Sequence, residues 1–116
     1  MLSEKEIKYK IDYEIIVDCY DEYEVSMGWY YFMEETIEFP FRATAKLKKL
    51  NGSIEQKEIE IIGLASDEEG FIKNDFDLEI EAGEHVGTIA YSKLSSVKAS
   101  PETMEAFTIW NHWVSK

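Results

Sequence analysis

The sequence predicts an α+β protein in which two N-terminal helices and one C-terminal helix flank a small five-stranded antiparallel sheet. Apolar residues recur at helical spacing up to about residue 38, alternate with polar residues between 40 and 98, and return to helical spacing after residue 100. The length of 116 residues favours a single domain over 1–116. Because a single helical turn precedes the last short strand, we expect, by analogy, a sheet that closes into an SH3-like barrel.

The first helix is predicted from a start signal and an apolar stripe. Ser3 and Glu6 have the spacing of a capping box, in which side chains and backbone at the helix start exchange hydrogen bonds. Apolar residues follow at intervals of four from Ile7 to Cys19, so they share one face of a helix. The predicted helix spans residues 4–20, with Cys19 as a small buried residue on its stripe.

The second helix is predicted over residues 22–37. Asp21 and Glu24 repeat the start signal, and Pro40 stops the helix because its ring cannot continue the backbone hydrogen bonds. The apolar face of this helix consists of Val25, Trp29, Phe32, Met33 and Thr36. We expect the neighbouring aromatic residues to pack the helix against the sheet. These are Trp29, Tyr30, Tyr31, Phe32, Phe39 and Phe41.

The first two predicted strands meet at the turn signal of residues 51–52. A two-residue turn at this point would face a polar row of one strand onto an apolar row of the other. We therefore expect an odd-length loop or a bulge. The expected register brings Lys48 near Glu58. It also brings Lys46 near Glu60, so that opposite charges lie across the strand pair.

The remaining elements follow from equally local signals. Residues 75–81 alternate most clearly, residues 85–91 form the return strand, and residues 95–98 form the last strand. Ser100 then provides a cap for a C-terminal helix over about 101–114, with proline at its first position. Its apolar face consists of Met104, Phe107, Trp110, Trp113 and Val114.

The charge balance excludes several classes of partner. With 24 Asp and Glu against 12 Lys and Arg, the formal net charge is −12. Binding to nucleic-acid phosphates or to anionic membranes requires a cationic surface, so neither partner is expected. Such a domain attracts cations or basic proteins. Because the chain has one cysteine and no apolar run long enough for a membrane span, we expect a reducing, cytoplasmic location.

The acidic residues are concentrated in a few places. Between Lys10 and Arg42 the chain has nine carboxylates and no Lys or Arg, whereas surfaces usually mix both signs. One cluster at the end of the second helix and another in the loop after the second strand supply the hard oxygen ligands that Ca²⁺ takes. Glu38 is included because helical spacing places it beside the other acids of its cluster. The candidate metal ligands are Glu34, Glu35, Glu38, Asp67, Glu68 and Glu69.

Several segments together resemble a known family. The densest are residues 13–22 (YEIIVDCYDE), 27–35 (MGWYYFMEE) and 39–41 (FPF), and residues 61–65 and 110–113 are similar as well. The sequence resembles the cyanobacterial-type calcium-binding protein family (CcbP-like), and the resemblance spans most of the chain.

The resemblance implies a small acidic protein that binds Ca²⁺ without an EF-hand and buffers it in the cytoplasm. By position, Glu34 and Glu35 match the acidic pair that follows the aromatic run. Residues 67–69 match the acidic loop after the second strand. Family members often carry Asp where this chain has Glu35, which is one methylene longer.

The sequence is also compatible with other functions. An acidic helix face is commonly just solvated, and the acidic surfaces could instead dock a basic protein partner without specific metal binding. An enzyme is not expected, because the sequence has neither a G-x-S-x-G nucleophile motif nor a phosphate-binding glycine loop. His85 and His112 lack partners at zinc-ligand spacing.

Overall fold

The structure is a computed structural model that describes residues 2–48, 50–82 and 85–115. Its elements in these residues are α1 (Glu4–Lys10), a π-helical segment (Ile11–Ile15), α2 (Glu22–Thr36), β1 (Phe41–Lys48), β2 (Ile54–Leu64), β3 (Asp77–Ala82), β4 (His85–Ala90), a 3-10 turn (Tyr91–Lys93), β5 (Leu94–Lys98) and α3 (Pro101–Val114). The α+β class and the antiparallel sheet flanked by helices are confirmed.

The sheet is open. Its strand order is β4-β3-β2-β1-β5, and every neighbouring pair is antiparallel. β5 pairs with β1 instead of with β4, which precedes it in the chain, so the last two strands lie at opposite edges. A barrel requires its edge strands to pair with each other. The predicted closure into an SH3-like barrel is therefore not confirmed.

The register of the first hairpin agrees with the prediction only in the odd number of residues in its loop. Lys48 lies opposite Ile54, which leaves the odd-length loop 49–53, as expected. The predicted partners of Lys46 and Lys48 are wrong by four residues, because Lys46 lies opposite Gln56. A shift of four keeps every side chain on its own face of the sheet, so the apolar pattern cannot distinguish the two registers.

Opposite charges do meet across the strands, at a different place from the one predicted. The guanidinium Nη1 of Arg42 lies 3.0 Å from Oε1 of Glu58, and Nζ of Lys98 lies 3.7 Å from Oε2 of the same carboxylate. The hydrogen bond from Arg42 and the charge of Lys98 lower the pKa of Glu58. This polar face is exposed, whereas the opposite face of the sheet contributes Ala43 and Ile61 to the core.

The first helix is shorter than predicted. The capping box at Ser3 is present, but α1 passes into the π-helical segment and the helical structure ends at Ile15, so the prediction of a helix over 4–20 is wrong after that residue. Asp18 has a φ of 59°, a left-handed conformation that cannot continue a helix. The thiol of Cys19 donates to the Glu24 carbonyl at 3.2 Å instead of lying on a helical stripe.

α2 and α3 lie close to their predicted bounds because their local signals operate as expected. The Asp21 side chain caps α2 by accepting from the Glu24 N–H at 2.8 Å, and Ser100 caps α3. Trp29 of α2 is fully buried, and its ring centroid is 4.9 Å from that of Trp110 on α3. Among the helices in the described residues, none has both the length and the apolar character that crossing a bilayer requires.

Gly28 allows α2 to approach the N-terminal segment backbone to backbone. A Cβ atom at this position would lie 2.3 Å from the carbonyl oxygen of Ile15, a distance that real Cβ atoms do not adopt. The obstructing atom belongs to the backbone, so a side-chain rotation cannot relieve the contact. The absence of a side chain at Gly28 therefore sets how closely the two segments pack.

We predict that Gly28→Ala destabilises the fold by roughly 1–3 kcal/mol, because the methyl group overpacks the contact with Ile15. At an exposed helical site the same change would stabilise by about 1 kcal/mol, so the sign is diagnostic. Urea denaturation measures the free energy of unfolding. Gly87→Ala is the matched control, since its Cβ would meet no atom within 4 Å. A Gly28→Ala protein as stable as the wild type would contradict the close approach.

Candidate functional site

The six predicted metal ligands are all exposed, but they are not in one place. In the described part of the chain, no group of three or more His, Cys, Asp and Glu side chains is close enough to hold a metal ion. Glu34 and Glu68 share one pair of tyrosines, Glu35 lines a cleft on another side of α2, and Glu38 lies beside α3.

Two adjacent tyrosines connect the acids of α2 with those of the loop after β2. A hydrogen-bonding interaction with the Glu34 carboxylate raises the pKa of Tyr30, and the charges of Glu34 and Glu68 add to the effect. The corresponding interaction with Glu68 raises the pKa of Tyr31. The tyrosine ring centroids are 5.3 Å apart. The fold therefore brings an acid of each predicted cluster to the same place.

The loop that carries Glu68 is held at its start and near its middle. We call residues 65–76 the acidic loop. At its start, the Ser66 hydroxyl accepts from the Asp77 N–H at 2.7 Å. Further along, the Phe71 N–H donates to the hydroxyl of Ser26, a fully buried residue of α2, at 2.9 Å. These contacts hold the acidic loop against the helix that carries the other acidic cluster.

The acidic residues of the loop form a tight turn. The Gly70 N–H donates to the Asp67 carbonyl at 3.0 Å, and the Asp67 carboxylate accepts from the Glu69 N–H at 3.0 Å. A Cβ on Gly70 would lie 2.4 Å from the Cβ of Ser66, so only glycine fits this approach. One carboxylate oxygen of Asp67 is thus already engaged within the turn, and the turn keeps the three acids of residues 67–69 together.

Glu38 does not belong to the helical cluster. α2 ends at Thr36, and Ile37 has an extended backbone, so the predicted group of three carboxylates on the last helical turn is wrong. The Glu38 N–H donates to Oγ1 of Thr103, a buried residue at the start of α3, at 2.9 Å. This bond fixes the backbone of Glu38 beside α3.

Glu35 also has different neighbours from Glu34. It lines a cleft of about 380 Å³ between α2 and the end of the first helical segment, together with Glu14 and Glu24. The spacing of acids along the sequence gave no sign of this grouping. It arises because the chain leaves its helical path after Ile15 and folds back toward α2.

The tyrosines are the site residues that the sequence interpretation missed. Tyr30 packs against the core, as expected, whereas Tyr31 is 45% exposed. The spacing of four between Tyr30 and Glu34 is a signal that could have paired them. Asp18 and Asp21 form the turn and the cap that precede α2.

The donor set around the tyrosine pair consists of hard oxygens. Carboxylates and hydroxyls are ligands suited to Ca²⁺ or Mg²⁺, and Ca²⁺ takes six to eight of them from a flexible arrangement. Glu34 and the acidic loop supply carboxylates from two elements that are already adjacent. The arrangement can bind a hard cation if these exposed side chains converge on it.

Comparisons with known proteins agree with this chemistry. A model of the CcbP calcium-binding family, described as calcium binding, matches residues 9–114. The crystal structure of Anabaena CcbP is 34% identical, has a TM-score of 0.84, and aligns with 100% of this chain and 94% of its own. A calcium binding protein in the calcium-binding form is 31% identical, with a TM-score of 0.77 and coverages of 99% and 96%. No curated protein sequence gives a match.

We predict that Glu34→Gln lowers the pKa of Tyr30 and that Glu68→Gln lowers the pKa of Tyr31. Removing an adjacent negative charge makes the phenolate easier to form, so more tyrosinate is present at a given alkaline pH. Ultraviolet absorbance during an alkaline titration measures the amount of tyrosinate. In a Tyr30→Phe protein, Glu34→Gln should cause little further change in the titration curve. In the wild-type protein, Glu79→Gln should leave the titration curve unaltered. Equal curves for wild type and Glu34→Gln would refute the pairing.

Proposed function

The chain belongs to the CcbP family of calcium-binding proteins, and from that premise we propose that it binds Ca²⁺ reversibly through clustered carboxylates. The observation that carries the proposal is its likeness to a calcium binding protein in the calcium-binding form, which extends over 99% of the chain at 31% identity. Likeness in sequence and in fold over this length makes a shared ligand the simplest expectation.

The arrangement of acids supports a principal site between α2 and the acidic loop. Glu34 would contribute from the helix and Glu68 from the loop, with Asp67 and Glu69 close to Glu68 in the turn. Carboxylates on adjacent elements repel each other, and a divalent cation between them removes that repulsion. In the proposed mechanism, the helix holds one ligand in position and the exposed loop side chains close around the ion.

The other predicted ligands have weaker support. Glu35 lies in the cleft with Glu14 and Glu24, and Glu38 lies beside α3. They would therefore act as secondary ligands or through the overall negative field, which raises the local concentration of cations.

The proposed biological role is that of a cytoplasmic calcium buffer or sensor without catalytic activity. The single cysteine supports a reducing compartment, since it has no partner in the chain for a disulfide. The exposure of all six candidate carboxylates supports reversible exchange, because an ion at this site can be hydrated and released without opening the core.

We predict that Ca²⁺ at about 100 times its dissociation constant stabilises the fold by roughly 2.7 kcal/mol, because only the folded chain brings the acidic loop to α2. Glu34→Gln with Glu68→Gln should weaken Ca²⁺ binding at least roughly tenfold, by loss of two charged ligands. Isothermal calorimetry measures the affinity, and thermal unfolding measures the stabilisation.

The matched control is Glu79→Gln with Glu81→Gln, which removes the same charge from exposed positions on β3. It should change the affinity less than about twofold, since distant exposed charges are largely screened. No heat and no stabilisation with wild-type protein would overturn the proposed function. If both double variants weaken Ca²⁺ binding equally, the proposed site is wrong and binding depends on net charge.

A further inference from the structure

A second feature, which adjoins the proposed calcium site through Tyr31, is the cleft of about 380 Å³ between the π-helical segment and α2. We call it the helical cleft. Val17, Met27 and Tyr31 line it, and all three are substantially exposed, at 49%, 38% and 45%. A continuous apolar surface of this kind, bordered by polar residues, is typical of sites that bind another molecule.

The border of the helical cleft is acidic. Glu14, Glu24 and Glu35 line it, and none of the described lining residues is Lys or Arg. Ion pairs between described residues engage other carboxylates, such as those of Glu58 and Glu105. The cleft thus combines an apolar floor with three negative residues that no cation of the described chain neutralises.

The apolar surface continues beyond the cleft along both helical segments. The ring centroids of Tyr9 and Tyr13 lie 5.0 Å apart in a tilted arrangement, and Tyr13 is 65% exposed. On α2, Tyr23 precedes Met27 by four residues and is 53% exposed. Residues spaced by four share a helix face, so Tyr23 extends the apolar surface of Met27 along α2.

We propose that the helical cleft binds a short basic segment of another protein, with aliphatic side chains on its floor and Lys or Arg beside the three carboxylates. Charge complementarity selects a cationic partner, and the apolar floor selects one that also carries aliphatic residues. A second copy of this chain is a poorer occupant, since two molecules of net charge −12 repel each other. The proposal does not depend on calcium binding.

The test uses two short peptides of equal charge, without Ca²⁺ and in the presence of a chelator. One is a Lys-rich peptide with interspersed leucines, and the other has Ser at each Leu position. The leucine peptide should bind roughly fivefold or more tightly, because only it covers the apolar floor. Glu14→Gln with Glu24→Gln should weaken binding of both peptides roughly tenfold at low salt. Fluorescence anisotropy of labelled peptides measures both effects.

Matched controls separate the cleft from the general acidity of the surface. Met27→Ala should reduce the preference for the leucine peptide, whereas Met104→Ala should not, although both methionines are 38% exposed. Glu79→Gln with Glu81→Gln should change binding less than about twofold. In the wild type, the leucine peptide should shift the methyl resonance of Met27 and leave that of Met104 in place.

Three results would overturn the proposal. The first is equal affinity for the leucine and serine peptides, which would mean non-specific attraction to an acidic surface. The second is equal weakening by the cleft and control double variants. The third is concentration-dependent self-association in the absence of peptide that Glu14→Gln with Glu24→Gln abolishes, which would assign the cleft to a second copy. Sedimentation velocity distinguishes this last case.

Discussion

The packing of one turn of α2 is the constraint on which the rest of the structure depends. Within four residues, Ser26 binds the acidic loop through the Phe71 N–H, Gly28 admits the backbone of Ile15, and Trp29 is buried against the aromatic residues of α3. The same turn therefore positions the loop, the N-terminal segment and the C-terminal helix. Ser26 contributes a buried hydroxyl, Gly28 a missing side chain and Trp29 a large ring. Because each contact needs a different feature, none of these residues can replace another.

The consequence for function is that one helix separates two acidic regions. Successive residues on an α-helix point about 100° apart, so Glu34 and Glu35 leave α2 in different directions. Glu34 lies with Tyr30 toward the acidic loop, whereas Glu35 lies in the helical cleft. At the first region the carboxylates raise the pKa of the neighbouring tyrosines, and at the second the carboxylates border an apolar surface. The two regions accordingly suit different kinds of cation.

Local sequence signals determined much of the fold. The caps at Asp21 and Ser100 and the apolar spacing that follows each cap placed α2 and α3 close to their observed bounds. The alternation of polar and apolar side chains identified the strands and fixed the parity of the first hairpin. These features succeed because each depends on hydrogen bonds and side-chain directions within a few residues. The segments from residue 13 to 41 also sufficed to indicate the family, which the family match over 9–114 confirms.

Only the tertiary structure decided how these elements meet. The sequence could not show how the carboxylates are grouped in space. Glu38 leaves the helix, Glu35 faces the cleft, and the acidic loop lies against α2. Likewise, the end of the first helix depends on a left-handed Asp18 and on the contact of Cys19 with Glu24. The open sheet depends on β5 pairing with β1. The positions of Glu35, Glu38, the acidic loop and β5 follow from contacts between segments distant in the chain, whose energies depend on packing and not on the spacing of residue types.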